Sequence, residues 1–156
     1  MFRLSKLTDY GIVLLAEIAK HDGGALFSAR ALAGYTGLPL PTVEKLLKRL
    51  AQSGLLNSKR GAKGGYFLAQ DPVEVSLAQI IDTLQGSIAL TECTDSSNSI
   101  CDVVECCTVR DHWPVINGAI RAALSAVTLK NLSGRADWSA SSFTVETDGA
   151  PQTPKA

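Results

Sequence analysis

The sequence predicts a mainly α fold: a winged helix-turn-helix with a two-stranded β wing, a cysteine-rich loop and a long C-terminal helix. Three observations predict it. Apolar residues recur at helical spacing through the first third of the chain, and the period then changes to short strand-like runs around a glycine- and lysine-rich bend. All four cysteines fall between Cys93 and Cys107. A second long apolar stripe follows them.

The elements follow in order. Leu7 to Lys20 reads as a first helix, with Leu7, Tyr10, Leu14 and Ile18 on one stripe, broken by the H-D-G-G that follows. Ser28 is placed to cap a short second helix, SARALAGY, ending near Gly34. Pro41 opens a third, PTVEKLLKRLAQS, closed by Gly54 and carrying Val43, Leu46, Leu47 and Leu50 on one face. LLNS and YFLA then read as two strands around RGAKGG. Ser76 and Gln79 form a capping box, with Val75 and Ile80 as its hydrophobic staple, for a helix ending near Leu84 or Gln85. A last long helix begins near Asp111 and carries Val115, Ile116, Ile120, Ala123, Leu124 and Val127, a stripe with no evident partner within the chain. From Ser133 the sequence turns to Ser, Thr, Gly and Pro, the composition of a disordered tail. The expected organisation is a winged helix-turn-helix over 1–85, a loop over 86–110, a dimerisation helix over 111–133 and a tail over 134–156.

Basic and acidic residues balance over the 156 residues, but they are segregated. Lys45, Lys48, Arg49, Lys59, Arg60 and Lys63 stand against Glu44 alone in the third helix and wing, while Glu92, Asp95, Asp102, Glu105 and Asp111 surround the cysteines. The basic elements are the two that a winged helix lays on a duplex, the helix in the major groove and the wing in the minor groove. Thr42 and Lys45 sit at the start of the recognition helix, and Glu44 suits a cytosine amino group. Lys48, Lys59 and Lys63 suit phosphates, and Arg60 at the wing tip suits the minor groove. Gly61, Gly64 and Gly65 allow a tight wing and a close backbone approach to the DNA. An equally simple account makes these charges the solvated face of an amphipathic helix; the glycine-rich basic wing at this spacing favours double-stranded DNA.

The cysteine segment has few sizeable aliphatic residues, and a structureless loop of that length is most often functional or disordered. A metal centre would offset the entropy of ordering it, and thiolates select iron or zinc over calcium or magnesium. The spacings C-x7-C and C-x4-CC contain none of the paired knuckles of structural zinc sites. Adjacent Cys106 and Cys107 diverge, leaving three separated thiolates: Cys93, Cys101 and one of the pair. Three thiolates and one other ligand suit a labile iron–sulfur cluster. The plainer alternatives are a loop that forms disulfides, or unused thiols. An acidic surround raises thiol pKa and argues against a nucleophile, and a Cys107–His112 pair without other catalytic groups is no enzyme site.

No signal peptide or membrane-length apolar run is visible, so a cytoplasmic protein without membrane or small-molecule partners is expected. Clustered cysteines there bind metal or do redox chemistry more often than they staple a fold.

Taken together, RLSKLTDYG, GLPLPTVEKLLKRLAQSGLL, KRGAKGGYFLA and the segment TEC…C…C followed by HWPVINGAIRAAL and VTLKNL resemble IscR-type regulators. These are the Rrf2 family of iron–sulfur winged-helix transcription factors, and the SUF-system branch is the most similar. The resemblance covers about the first 133 residues, on boundaries read from the sequence. It implies a homodimer made by crossing the C-terminal helices, and a cluster held by Cys93, Cys101 and Cys107, with Cys106 an additional thiol. The position of the IscR histidine ligand is Arg110 here, which cannot serve, and His112 lies two residues beyond. Asp9 matches the aspartate that serves in the nitric-oxide-sensing branch, where the partner subunit delivers it. Its alternative role is to interact with the helix dipole. The aspartate match favours [4Fe–4S] over [2Fe–2S]. Glu44 matches a base-discriminating glutamate and Arg60 a minor-groove arginine, whereas Pro41 and Thr42 depart from the family pattern, so no operator sequence follows. The implied function is a repressor of iron–sulfur cluster assembly genes gated by its own cluster; the alternative is a thiol-redox or zinc-stabilised winged-helix regulator.

Overall fold

The structure, a computed structural model, describes residues 3–21, 24–61, 63–94, 101 and 105–134. The element order is α1 (Lys6–Ala19), α2 (Ala29–Thr36), α3 (Leu40–Gln52), β1 (Leu56–Lys59), β2 (Gly65–Leu68), α4 (Leu77–Gln85), a 3-10 turn (Glu92–Thr94), α5 (His112–Ala126) and α6 (Leu129–Ser133). The tail expected from 134 onward lies, after that first residue, outside the described residues.

Local chemistry sets the helix ends. Ser5, Ser28 and Ser76 each accept, through the side chain, the N–H three residues on, which satisfies an otherwise orphaned donor. The second helix outruns its expected end at Gly34 and closes at Gly37, which takes the left-handed conformation at φ 70°. Gly34 is tolerated inside it. Pro39 caps α3, so Pro41 stands in the first turn, where its missing N–H costs nothing.

Burial on α1 differs from the expected stripe. Thr8, Gly11, Leu14, Leu15, Ile18 and Ala19 face inward, while Leu7 is exposed. The reason is a small-residue contact: a Cβ on Gly11 would lie 2.4 Å from the Leu84 side chain, so α1 meets α4 through its glycine. Val43, Leu46, Leu47 and Leu50 of α3 are all buried, as their spacing predicts, and they join Leu14, Leu15, Leu32 and Leu56 in one core.

The wing is antiparallel, in a register running from Leu56 opposite Leu68 to Lys59 opposite Gly65. Phe27, just before α2, adds a reciprocal pair of 2.9 Å hydrogen bonds with Tyr66 and ties the wing base to the helical unit. This explains Gly65, where a Cβ would come within 2.7 Å of the Phe27 carbonyl oxygen.

The C-terminal region departs from a single helix over 111–133. Helix α5 stops at Ala126, and Val127 turns extended, at φ −86° and ψ 118°. Residues 127–129 then pair with 75–77, Leu77 N–H donating to Val127 C=O and Leu129 N–H to Val75 C=O, each at 2.8 Å. Leu129 is thereby fully buried in the main core, worth about 1.5–3 kcal/mol, and Thr128 starts α6 with a complete capping box. Val127, expected on an outer stripe, is buried within the chain. Ile120 and Leu124 pack on a second cluster of Ala78, Ile81 and Ile88, so part of that stripe does find an internal partner. Val115 and Ile116 remain exposed.

Candidate nucleic-acid interface and thiol segment

Burying Val43, Leu46, Leu47 and Leu50 turns the opposite face of α3 to solvent. Glu44, Lys45, Lys48 and Arg49 are exposed there, Thr42 is partly exposed in the first turn, and Lys59, Arg60 and Lys63 are exposed around the wing tip. Among the described residues none of these basic side chains has an ion-pair partner, and Glu44 does not pair with Lys48 one turn on. Gly61 takes φ 117°, a conformation that L side chains rarely adopt, and the Gly64 N–H returns to its carbonyl at 2.9 Å. The bend that presents Arg60 and Lys63 thus depends on glycine for its own geometry. The surface is a row of unneutralised cations, suited to a polyanion.

The thiol segment is built differently. Cys93 lies in the 3-10 turn and is exposed, as is Cys106, while Cys101 and Cys107 are partly buried. All four thiols are free. The Thr91 hydroxyl stands 3.1 Å from Cys93 Sγ. Residues 95–100 and 102–104 are outside the described residues, and with them much of the expected loop. His112 is exposed and opens α5, with its N–H bonded to Val109 C=O at 3.1 Å. Asp9 is exposed in the first turn of α1, where an acid also favours the helix dipole.

Among the described residues, no three His, Cys, Asp or Glu side chains are gathered closely enough to hold a metal ion. Cys93, Cys101, Cys107 and Asp9 are therefore not brought together within this one chain. By donor type the residues fit a thiolate-bound cluster: the thiols are unpaired, and two of them are already partly withdrawn from solvent. Zinc has no paired knuckle to use.

A polar network at the end of α4 went unread in the sequence. Gln85 Oε1 accepts from Ser5 N–H at 2.8 Å and from the Thr8 hydroxyl at 3.1 Å, and its Nε2 donates to Arg3 C=O. Asp82 accepts from Ile88 N–H at 3.3 Å and pairs with the Arg121 guanidinium through both oxygens. That hydrogen bond, aided by the Asp82 charge and opposed by partial burial, raises the Arg121 pKa above its ordinary value. Asn117 accepts from Leu90 N–H at 3.1 Å and donates to Ile88 C=O at 2.9 Å. The available signal was a few polar residues on largely apolar helices, but apart from the Asp82–Ile88 bond, six positions apart, their partners lie 27 to 82 positions away.

The family model described as Rrf2, iron-dependent transcriptional regulator, matches residues 4–135. The HTH-type transcriptional regulator CymR of Bacillus subtilis is 29% identical over 135 residues, covering 86% of this chain and 92% of its own. An HTH-type transcriptional regulator IscR, from Photorhabdus laumondii, is 27% identical over 83% of this chain and 78% of its own. Two solved structures are similar over most of the chain. B. subtilis CymR, described as the global cysteine regulator, superposes with a TM-score of 0.67 at 29% identity over 85% of this chain and 97% of that one. T. potens IscR does so with a TM-score of 0.64 at 27% identity, over 88% and 93%.

Proposed function

The chain belongs to the Rrf2 family and is a DNA-binding transcriptional regulator, not an enzyme; on that footing we propose that an iron–sulfur cluster held by its cysteine segment gates its affinity for promoter DNA. The observation that carries the gating is the contrast between four free, poorly buried thiols and a DNA-binding unit whose core is complete without them. Cys93, Cys101 and Cys107 would hold the cluster, and Asp9 from a second copy would supply the fourth ligand, a set that favours [4Fe–4S]. Bound there, the centre supplies a crosslink labile to oxidants, nitric oxide and iron scarcity.

The chain's own residues do the reading. Thr42, Glu44 and Lys45 address the major groove from the start of α3, Lys48, Lys59 and Lys63 neutralise phosphates, and Arg60 enters the minor groove. The exposed Val115 and Ile116 of α5 belong to the contact with a second copy, forming a homodimer. Paired half-sites lie about one helical turn, 34–36 Å, apart, so the segment joining α4 to α5 is placed to alter the separation of two recognition helices. A coupling of about 1–3 kcal/mol suffices for such a switch. The genes of iron–sulfur cluster assembly are the proposed targets, with repression the proposed sense.

The test is an anaerobic preparation assayed for iron, acid-labile sulfide and visible absorption, with operator affinity measured before and after cluster loss. A brown protein whose affinity changes supports the reading. Colourless protein lacking sulfide sinks it. Cys107→Ala should lose the cluster and Cys106→Ala keep it, and the reverse would move the ligand by one residue.

A second reading has the same DNA unit gated by the thiols alone. The exposed Cys93 and Cys106 favour it, because thiol oxidation needs access. Affinity that follows thiol oxidation in iron-free protein would select this reading.

A further inference from the structure

Between Cys93 and the first turn of α1 lies a series of side-chain hydrogen bonds, linked where they do not touch by neighbouring residues in the chain and by helix α4. It starts at Cys93 Sγ, 3.1 Å from the Thr91 hydroxyl. Leu90, the next residue back, gives its N–H to Asn117 Oδ1, and the Asn117 amide gives its own N–H to Ile88 C=O. A single side chain on α5 therefore grips residues 88 and 90 on both polarities. Ile88 N–H in turn reaches Asp82 on α4, which also holds Arg121, one turn beyond Asn117 on α5. One turn further along α4, Gln85 holds Ser5 N–H and the hydroxyl of Thr8. Thr8 is fully buried, and Asp9 is the next residue.

We infer that Asn117 is a positioning residue, which fixes the start of the cysteine segment against α5 and, through Asp82 and Gln85, passes movements at Cys93 to the N-terminus of α1. This deepens the gating reading above and rests on it for its biological purpose. The physical grounds are independent of any cluster. Ile88 is buried with Ala78 and Ile81, with Leu4, Leu77, Ile120 and Leu124 packed around them, and it is also bonded at both its N–H and its C=O. An amide side chain satisfied at both ends orients what it touches more strictly than apolar contact does, because hydrogen bonds weaken steeply with angle.

The experiment is amide hydrogen exchange on the full chain, wild type and Asn117→Ala, each before and after alkylation at Cys93 in a background where the other three cysteines are serine. Losing one hydrogen bond should speed exchange at Leu90 roughly three- to tenfold in Asn117→Ala. Alkylating Cys93 should speed exchange at Ser5 in the wild type and leave it unchanged in Asn117→Ala. Asn117→Asp keeps the acceptor for Leu90 and loses the donor to Ile88. It should retain most of the Leu90 protection, and it serves if the alanine variant does not fold. Unchanged Leu90 exchange in Asn117→Ala, or a Ser5 indifferent to Cys93 modification when Asn117 is present, overturns the inference. Operator affinity of the chain with all four cysteines, measured before and after cluster loss, separates the two proposals: a Ser5 response in the alkylated samples beside an operator affinity that ignores cluster loss supports the relay and sinks the gating.

Discussion

The DNA-binding unit and the thiol segment with α5 are made on opposite plans. In the first, Leu14, Leu15, Leu32, Leu47 and Leu50 are wholly buried, and every helix from α1 to α4 contributes to a core. In the second, α5 has no fully buried residue, and it touches the rest of the chain through Ile120, Leu124 and polar side chains such as Asn117 and Arg121. A core packed at crystal-like density keeps its shape when a ligand binds elsewhere. A segment that buries so little apolar surface opens from the rest of the chain at lower cost than such a core does. The division puts rigidity where a duplex must be matched and, on the proposed gating, leaves compliance where the signal is received.

The largest expected effect tests that division directly. Leu47→Ala should destabilise the fold by about 2–5 kcal/mol, since the cavity lies inside a closed core. Val115→Ala, at a side chain 63% exposed, should change the stability of a single chain by less than about 0.5 kcal/mol. Denaturant midpoints measured across protein concentrations check both. Equal losses at low concentration would erase the distinction between the regions, while a Val115 effect that grows with concentration would place this residue in the homodimer contact.

A smaller effect sharpens the DNA side. Arg60→Ala should cost operator binding about 1–2 kcal/mol, and Lys48→Ala should mainly lower the salt dependence, by about one unit of slope. Titrations at several salt concentrations separate the two. Arg60→Ala with wild-type affinity would remove the wing from the interface. Neither change should alter the denaturation midpoint, because neither side chain has an ion-pair partner among the described residues.

The two regions were also unequally legible in the sequence. The face of α3, the wing strands and the caps at Ser28 and Ser76 depend on residues a few positions apart, and periodicity and capping chemistry report such relations directly. The break at Val127 depends on pairing with residues 75–77, and the turn of α1 toward Gly11 depends on Leu84; no local pattern carries either. The same limit hid Asn117 and Gln85, whose partners are remote in the chain. At the thiol segment the reverse held. The residue types were informative, while the described residues do not gather them into a site.

Asp9 stands where the two plans meet, and the smallest predicted effect decides its role. It occupies the first turn of α1, exposed, beside the Thr8 that Gln85 anchors. As a dipole partner alone it would contribute about 0.3–1 kcal/mol, partly screened by salt, and Asp9→Asn would remove most of that without disturbing the cap at Ser5. As a ligand from a second copy it would contribute little to the stability of one chain but would tune whatever the thiols hold. Asp9→Asn should therefore leave the unfolding midpoint nearly unchanged in iron-free protein and shift the absorption spectrum or cluster lifetime of reconstituted protein. A midpoint loss with an unaltered spectrum returns Asp9 to the helix dipole. It would also leave the fourth ligand to another residue, of which His112, exposed at the start of α5 and five positions after Cys107, is the histidine nearest the thiols in sequence.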